Sequence, residues 1–372
     1  MRFTLWLLLL AFSSENFSQI VTTLVADPTT RFRDDIILDT DGNLYCSDYS
    51  GSDIYKLTPG GDVSVFATGL NTPNGLAFDS NQDLFVCDNI GDRIYKLDLL
   101  GNFLDTFEVS KPSGIIKEFD SDTMIFTEYG SAHTLSKLAP DGTITETHSG
   151  DPLNGPVGLV YDGENQLYVA NFNNREIYKV FDDSLQYWAT VPGPGSGTLG
   201  FITFGGGYLW GTSWNAHQIY GISVQTIDST FLYTGSTLGG TDGLLSDATF
   251  AGPNGIHSNF AGDTIYISEY NSGRLRMISP GVAGEEQKLV KELNFQLYPN
   301  PSKGEINVVF ETVQKVDEVI LLDAKGQVIS KRTKESLKGT NSFSWWVDKA
   351  GIYFVRLRDE EGNISQQKLI VQ

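Results

Sequence analysis

The sequence predicts an all-β protein, a six-bladed β-propeller followed by a small C-terminal β-sandwich, and three observations carry that prediction. A strand-and-turn motif returns six times between Asp34 and Pro280. Its copies keep a period near forty residues, the size of one propeller blade. The 39 glycines and 12% aromatic residues suit turn-rich strands with aromatic packing, and 19% charged residues is too few for a disordered chain.

The clearest copy is Pro73-Asn74-Gly75-Leu76-Ala77-Phe78-Asp79, then Asp83-Leu84-Phe85-Val86-Cys87-Asp88, then Arg93-Ile94-Tyr95-Lys96-Leu97. Aligning the position of Asp88 gives Asp48, Asp88, Glu128, Asn171, Ser213 and Glu269, at steps of 40, 40, 43, 42 and 56 residues. One blade cannot bury its apolar faces alone; six stacked around an axis can, and they leave a central channel. In each copy the strand nearest the axis comes first, a short polar hairpin follows, and two strands lead to an outer one. Asp39-Thr40-Asp41-Gly42-Asn43 reads as such a hairpin, because it lacks the ligand series and closing Glu of an EF-hand loop.

Residues 1–18 read as a secretory signal peptide, with Met1-Arg2 ahead of an apolar run over residues 3–12 and a small polar segment. That run is about half of the roughly 20 residues a membrane-spanning helix needs. The propeller then occupies residues 19–280. Its sixth copy has no outer strand after Pro280, whereas Thr23-Leu24-Val25-Ala26-Asp27-Pro28 resembles the outer strand Ser64-Val65-Phe66-Ala67-Thr68-Gly69 of blade one. The N-terminal strand is therefore expected to complete blade six and leave no open edge. Residues 281–294 form a polar linker, and residues 295–372 a second domain of alternating strands and Gly-centred turns, read as a small β-sandwich.

Two cysteines, Cys46 and Cys87, are too few for a disulfide framework or a cysteine zinc site. They fall one step apart in the motif, on opposite faces of neighbouring blades. A disulfide across the blade interface and a pair of buried free thiols are both open. Charge divides unevenly: residues 19–287 hold 12 Lys and Arg against 34 Asp and Glu, a net charge of −22, and residues 288–372 hold 13 against 11, a net charge of +2. So acidic a propeller repels nucleic acid and attracts cations or cationic partners.

The repeats resemble the NHL-repeat propellers. Leu167-Tyr168-Val169-Ala170-Asn171 and Asn174-Arg175-Glu176-Ile177 match that family's strand pattern, and the segment from Thr241 through Phe250 to Pro253-Asn254-Gly255-Ile256 matches its inter-blade segment. The tail resembles the type A sorting domain of the Bacteroidetes type IX secretion system. It carries Phe295-Gln296-Leu297-Tyr298-Pro299-Asn300-Pro301, Leu322-Asp323-Ala324-Lys325-Gly326, Gly351-Ile352-Tyr353-Phe354-Val355 and the final Lys368-Leu369-Ile370-Val371-Gln372 in that order. That resemblance implies export to the cell surface or the extracellular space, with the secretion machinery as the partner of residues 295–372.

Candidate site residues come from the start of each inner strand, which lies near one mouth of the channel. In blade order these are Asp34, Asn74, Ser113, Val157, Leu199 and Asn254. Asp34, Asn74 and Asn254 come from three consecutive blades of a closed ring, a start for a Ca²⁺ or other divalent-cation site. Pro73-Asn74-Gly75-Leu76 also resembles a ligand segment of the gluconolactonase propellers, which implies a metal-dependent lactonase-like hydrolase or lyase. Val157 and Leu199 offer no ligand, and the Pro-Asn-Gly turns also suit Asn and Gly for backbone reasons. Trp210, Trp214 and His257 are candidates for ligand contact, the tryptophans as stacking surfaces and His257 through its place near the channel. The sequence contains neither a His-Glu-x-x-His nor a Gly-x-Ser-x-Gly motif. Gly195-Ser196-Gly197-Thr198-Leu199-Gly200 matches a dinucleotide fingerprint by letter, but it opens a strand after a loop and reads as a connection. The expected activity is that of an extracellular binding or scaffold protein for a small molecule, glycan or protein, with the metal-dependent enzyme as the alternative.

Overall fold

The computed structural model of the protein describes residues 19–193, 198–281, 295–310, 316–323, 328–333, 342–359 and 364–371. The expected signal peptide, residues 195–197 and residues 282–294 of the expected linker lie outside the described residues. The chain divides into two compact units, Met1–Gly281 and Val282–Gln372. Among the described residues no helix is long and apolar enough to cross a membrane.

The first unit is a ring of six antiparallel sheets. Blade two shows the plan: Pro73–Phe78, Leu84–Asp88, Arg93–Leu97 and Phe103–Glu108 follow one another outward. Blades one, three, four and five repeat it, beginning at Ile36–Leu38, Pro112–Lys117, Pro156–Tyr161 and Leu199–Gly205. Each first strand packs beside that of the next blade, and the first strand of blade six, Pro253–Ser258, returns to that of blade one. Blade six is closed by the N-terminal strand Gln19–Val25, which pairs antiparallel with Leu275–Pro280. The long last step of the motif adds a fifth strand, Gly243–Leu244, on the far side of that closing strand.

Side-chain alternation along each strand sends successive residues to the two neighbouring blades, so the core forms as one apolar cluster at each junction. Tyr45, Ile54, Leu76 and Val86 fill the junction of blades one and two. Cys87, Ile94, Ile115 and Phe126 fill that of two and three. Each fully buried aliphatic or aromatic side chain there contributes about 1.5–3 kcal/mol. The cysteines settle on the two faces that do not meet: Cys46 packs with Phe32 and Leu275 between blades six and one, Cys87 between blades two and three. Both are buried free thiols. Alternation separates their faces, and it is Ser47 and Val86 that look across the shared junction.

The closure is pinned by a buried charge. Arg276, fully buried, donates to Glu269 Oε1 at 2.7 Å and to Asp242 Oδ1 at 2.7 Å, and also to the carbonyls of Thr241 and Thr249. Asp242 in turn accepts from Thr23 N and Thr23 Oγ1 on the closing strand. The Asp-rich hairpins are spent on their own turns: Asp39 Oδ1 accepts the backbone N–H of Asp41 and Asn43, and Asp79 Oδ1 that of Asn81 and Asp83.

The second unit is a sandwich of a three-stranded sheet, Phe295–Tyr298, Glu305–Phe310 and Ser342–Trp346, and a four-stranded sheet, Val328–Thr333, Val316–Asp323, Gly351–Asp359 and Ile364–Val371. Ile306, Val308 and Trp345 from one sheet meet Val319, Leu321, Val355 and Leu369 from the other in a single core.

Candidate functional site

The strand nearest the axis slips register as it leaves the mouth in five blades, between Pro73 and Leu76, Pro112 and Ile115, Pro156 and Gly158, Leu199 and Ile202, and Pro253 and Ile256. A bulge re-aims the side chains it contains. Here Asn74, Ser113, Val157 and Asn254 face a cavity of about 190 Å³ at the channel mouth, joined by Asp34 from blade one and Phe201 from blade five. Hydroxyl groups of the neighbouring blade hold three of these residues by their carbonyls. Ser47 Oγ donates to Asn74 O at 2.6 Å, Thr212 Oγ1 to Asn254 O at 2.6 Å and Ser268 Oγ to Asp34 O at 2.7 Å. Glycine follows Asn254 because the blades approach too closely for a side chain: a Cβ on Gly255 would sit 1.9 Å from Asp34 O.

A second ring lines the same cavity, again with one residue per blade: Tyr49, Asn89, Tyr129, Phe172, Trp214 and Tyr270. Each stands one residue after the aligned Asp88 position. Trp214 and Tyr270 meet edge-on at 5.5 Å, Tyr270 and Tyr49 lie 6.3 Å apart, and Tyr129 and Phe172 lie 6.1 Å apart. The aromatic collar thus runs as two arcs, over blades five, six and one and over blades three and four. Asn89 fills the gap, its Nδ2 donating to Pro112 O at 3.0 Å.

Two buried oxygens in this cavity have no partner among the described residues, Asp34 Oδ2 and Asn74 Oδ1. Asp34 is 2% exposed and Asn74 5% exposed, so neither is served by bulk water. Their remaining atoms are engaged: Asn254 Nδ2 donates to Asp34 Oδ1 at 2.5 Å, and Asn74 Nδ2 donates to Ser113 Oγ at 3.0 Å. Burial pushes the Asp34 carboxyl well above the usual carboxylate range, and the charges of Asp35 and Asp48 push the same way against the Asn254 hydrogen bond. The Tyr49 phenol is pushed up to about 12, first by burial and then by the Asp34 charge.

The structure thus brings Asp34, Asn74 and Asn254 to one cavity, but Asn254 turns its amide nitrogen toward Asp34 and the Arg33 carbonyl. Two protein oxygens are therefore open where Ca²⁺ takes six to eight. Among the described residues no group of three or more His, Cys, Asp or Glu stands ready to hold a metal ion. Of the aromatic candidates, Trp214 lines the cavity. Trp210 is buried at the junction of blades five and six against Phe250 and Ile256, its Nε1 donating to Gly205 O. His257 lies deeper in the channel, beside a second cavity of about 170 Å³ that also holds Asp35. Leu199 is buried between blades four and five, and Phe201 takes its expected place at the wall.

The fold finds counterparts among solved structures. An auxiliary nutrient binding protein from Bacteroides thetaiotaomicron is 14% identical, with a TM-score of 0.59 over 70% of this chain and 76% of that one. A gluconolactonase from Xanthomonas campestris is 18% identical, with a TM-score of 0.55 over 70% of this chain and 89% of that one. Virginiamycin B lyase from Staphylococcus aureus is 21% identical, with a TM-score of 0.50 over 66% of this chain and 79% of that one. At these identities the likeness establishes the propeller fold. No curated protein matches the sequence. Residues 296–372 match the secretion system C-terminal sorting domain, and the chain carries that domain behind its propeller.

Proposed function

We propose that the protein is exported through its sorting domain by the type IX secretion system and acts at the cell surface or outside the cell as a binding protein for a small ligand, taken up at the channel mouth. The observation that carries this reading is the pair of buried, unpartnered oxygens of Asp34 and Asn74 inside an aromatic collar. Leaving a buried acceptor unsatisfied costs about 1–3 kcal/mol, and a ligand that donates to both recovers it. Concave sites with aromatic walls and few convergent polar groups are the usual form of small-molecule pockets. The nutrient-binding role of the Bacteroides structures agrees with this reading at the level of fold.

The test is a thermal-shift screen of the full chain against water-soluble metabolites, repeated with Phe172→Ala. A ligand of the mouth raises the melting temperature of the parent protein and loses most of that effect in the variant. Ligands whose effect is the same in both proteins would place binding elsewhere.

The second reading is a divalent cation held by Asp34 Oδ2 and Asn74 Oδ1, with water completing its shell, as part of a lactonase-like site. The same open oxygens favour it, and the amide orientation of Asn254 and the apolar arc of Val157 and Phe201 oppose it. Melting in calcium against melting in chelator separates the two: a cation site requires a difference that Asp34→Asn removes.

A further inference from the structure

Among the unpartnered groups of the mouth residues two are acceptors, Asp34 Oδ2 and Asn74 Oδ1, and one is a donor, Trp214 Nε1. Asp34 Oδ2 and Asn74 Oδ1 await donors, so the part of a ligand that reaches them must donate. Asp34 can carry a charge that no cation pairs among the described residues: its side chain meets only the Asn254 amide. Around it, the rings of Tyr49, Tyr270 and Trp214 form a continuous arc, and ring faces attract cations. Across the cavity, Val157 and Phe201 offer only apolar surface. A neutral diol brings no charge to hold Asp34 ionised against its burial, and a fully alkylated ammonium would leave both acceptors without hydrogen bonds. A bare divalent ion would find no ligands on the apolar side.

We infer that the cavity recognises a primary ammonium group on a slender apolar stem, the ammonium donating to Asp34 Oδ2 and Asn74 Oδ1 and the stem lying against Val157 and Phe201. The inference rests on the reading of the mouth as a ligand site. It narrows that site to organic amines, the class that includes lysine side chains and aliphatic mono- and diamines. An ammonium has three donors, two of which these oxygens take. The acidic propeller, with a net charge of −22 over residues 19–287, draws such cations to its mouth.

The experiment is calorimetric titration of the full chain with n-butylamine, and with 1-butanol, calcium chloride and glucose as alternatives. Butylamine is expected to bind saturably, with 1-butanol weaker by about tenfold or more, the share of a charge-assisted hydrogen bond. Asp34→Asn should weaken butylamine about tenfold or more while leaving the protein folded by circular dichroism, and Asn74→Asp should tighten butylamine and not 1-butanol. Equal binding of butylamine and 1-butanol, or no binding of butylamine, overturns the amine assignment. If glucose or calcium binds in its place and Phe172→Ala weakens that binding, the mouth remains a ligand site and only its ligand class is wrong. If every probe that binds is indifferent to both Asp34→Asn and Phe172→Ala, the site itself is overturned.

Discussion

Asp34 and Asp35 are neighbours in sequence, both are buried, and both line the channel, yet they are built for different purposes. Asp35 faces the deeper cavity with both carboxylate oxygens occupied, Oδ1 by the N–H of Ile36 and Oδ2 by the N–H of Leu76 on the next blade, each at 2.9 Å. Asp34 faces the mouth with one oxygen bonded to Asn254 and the other open. A satisfied buried acid ties blades one and two together; a half-satisfied one is a cost to the fold unless something binds there. Glu269 gives the third case, a buried acid paired with a buried arginine.

These three acids order the effects of substitution. Arg276→Met leaves Glu269 buried without its cation and takes away the cation partner of Asp242, and it should cost about 3–5 kcal/mol in chemical denaturation. An effect below about 1 kcal/mol would mean that the ring does not depend on this pair. Asp35→Ala removes the acceptor of the Leu76 N–H and should cost about 1–3 kcal/mol. Asp34→Asn should cost nothing or raise the melting temperature, since it replaces an ill-solvated acid with a neutral isostere. Similar losses for Asp34→Asn and Asp35→Ala would break the comparison.

The smallest effect is a change of pH profile. Burial pushes Asp35 up to about 7, above its unfolded value near 4, so its contribution to stability is full below about pH 4 and is lost as the pH rises through 7. Burial pushes His257 down to about 4, so its contribution is full above about pH 6.5 and is lost as the pH falls through 4. The two trends oppose each other across this window. His257→Gln removes one of them, and the stability of that variant should fall more steeply between pH 4 and 7 than that of the parent protein. An unchanged profile would remove His257 from the balance.

The blades were legible because their period is long and their strands are short, and closure was legible because a strand missing after Pro280 has a counterpart before Asp34. The aromatic collar is written at the same period, one residue beyond the aligned Asp88 positions, at Tyr49, Tyr129, Phe172, Trp214 and Tyr270. An alignment centred on those positions passes over it. Asp88 itself braces a turn, accepting the Asn71 N–H with both oxygens. Blade five is harder to read, because Thr198-Leu199-Gly200-Phe201 has no proline to mark the start of the strand, and Phe201 instead of Leu199 reaches the wall. Alternation separates the faces of Cys46 and Cys87 but not the direction in which each blade is turned. The orientation of the Asn254 amide depends on two acceptors, the Arg33 carbonyl and Asp34, that are distant in sequence and adjacent only in the closed ring.

The most direct test of the central claim is a crystal structure of the full chain with the strongest ligand found in solution. The account predicts that the ligand lies inside the aromatic collar and donates hydrogen bonds to Asp34 Oδ2 and Asn74 Oδ1, while the bond from Leu76 N to Asp35 stays intact. A ligand outside the mouth, or one that leaves both oxygens without a partner, would contradict it.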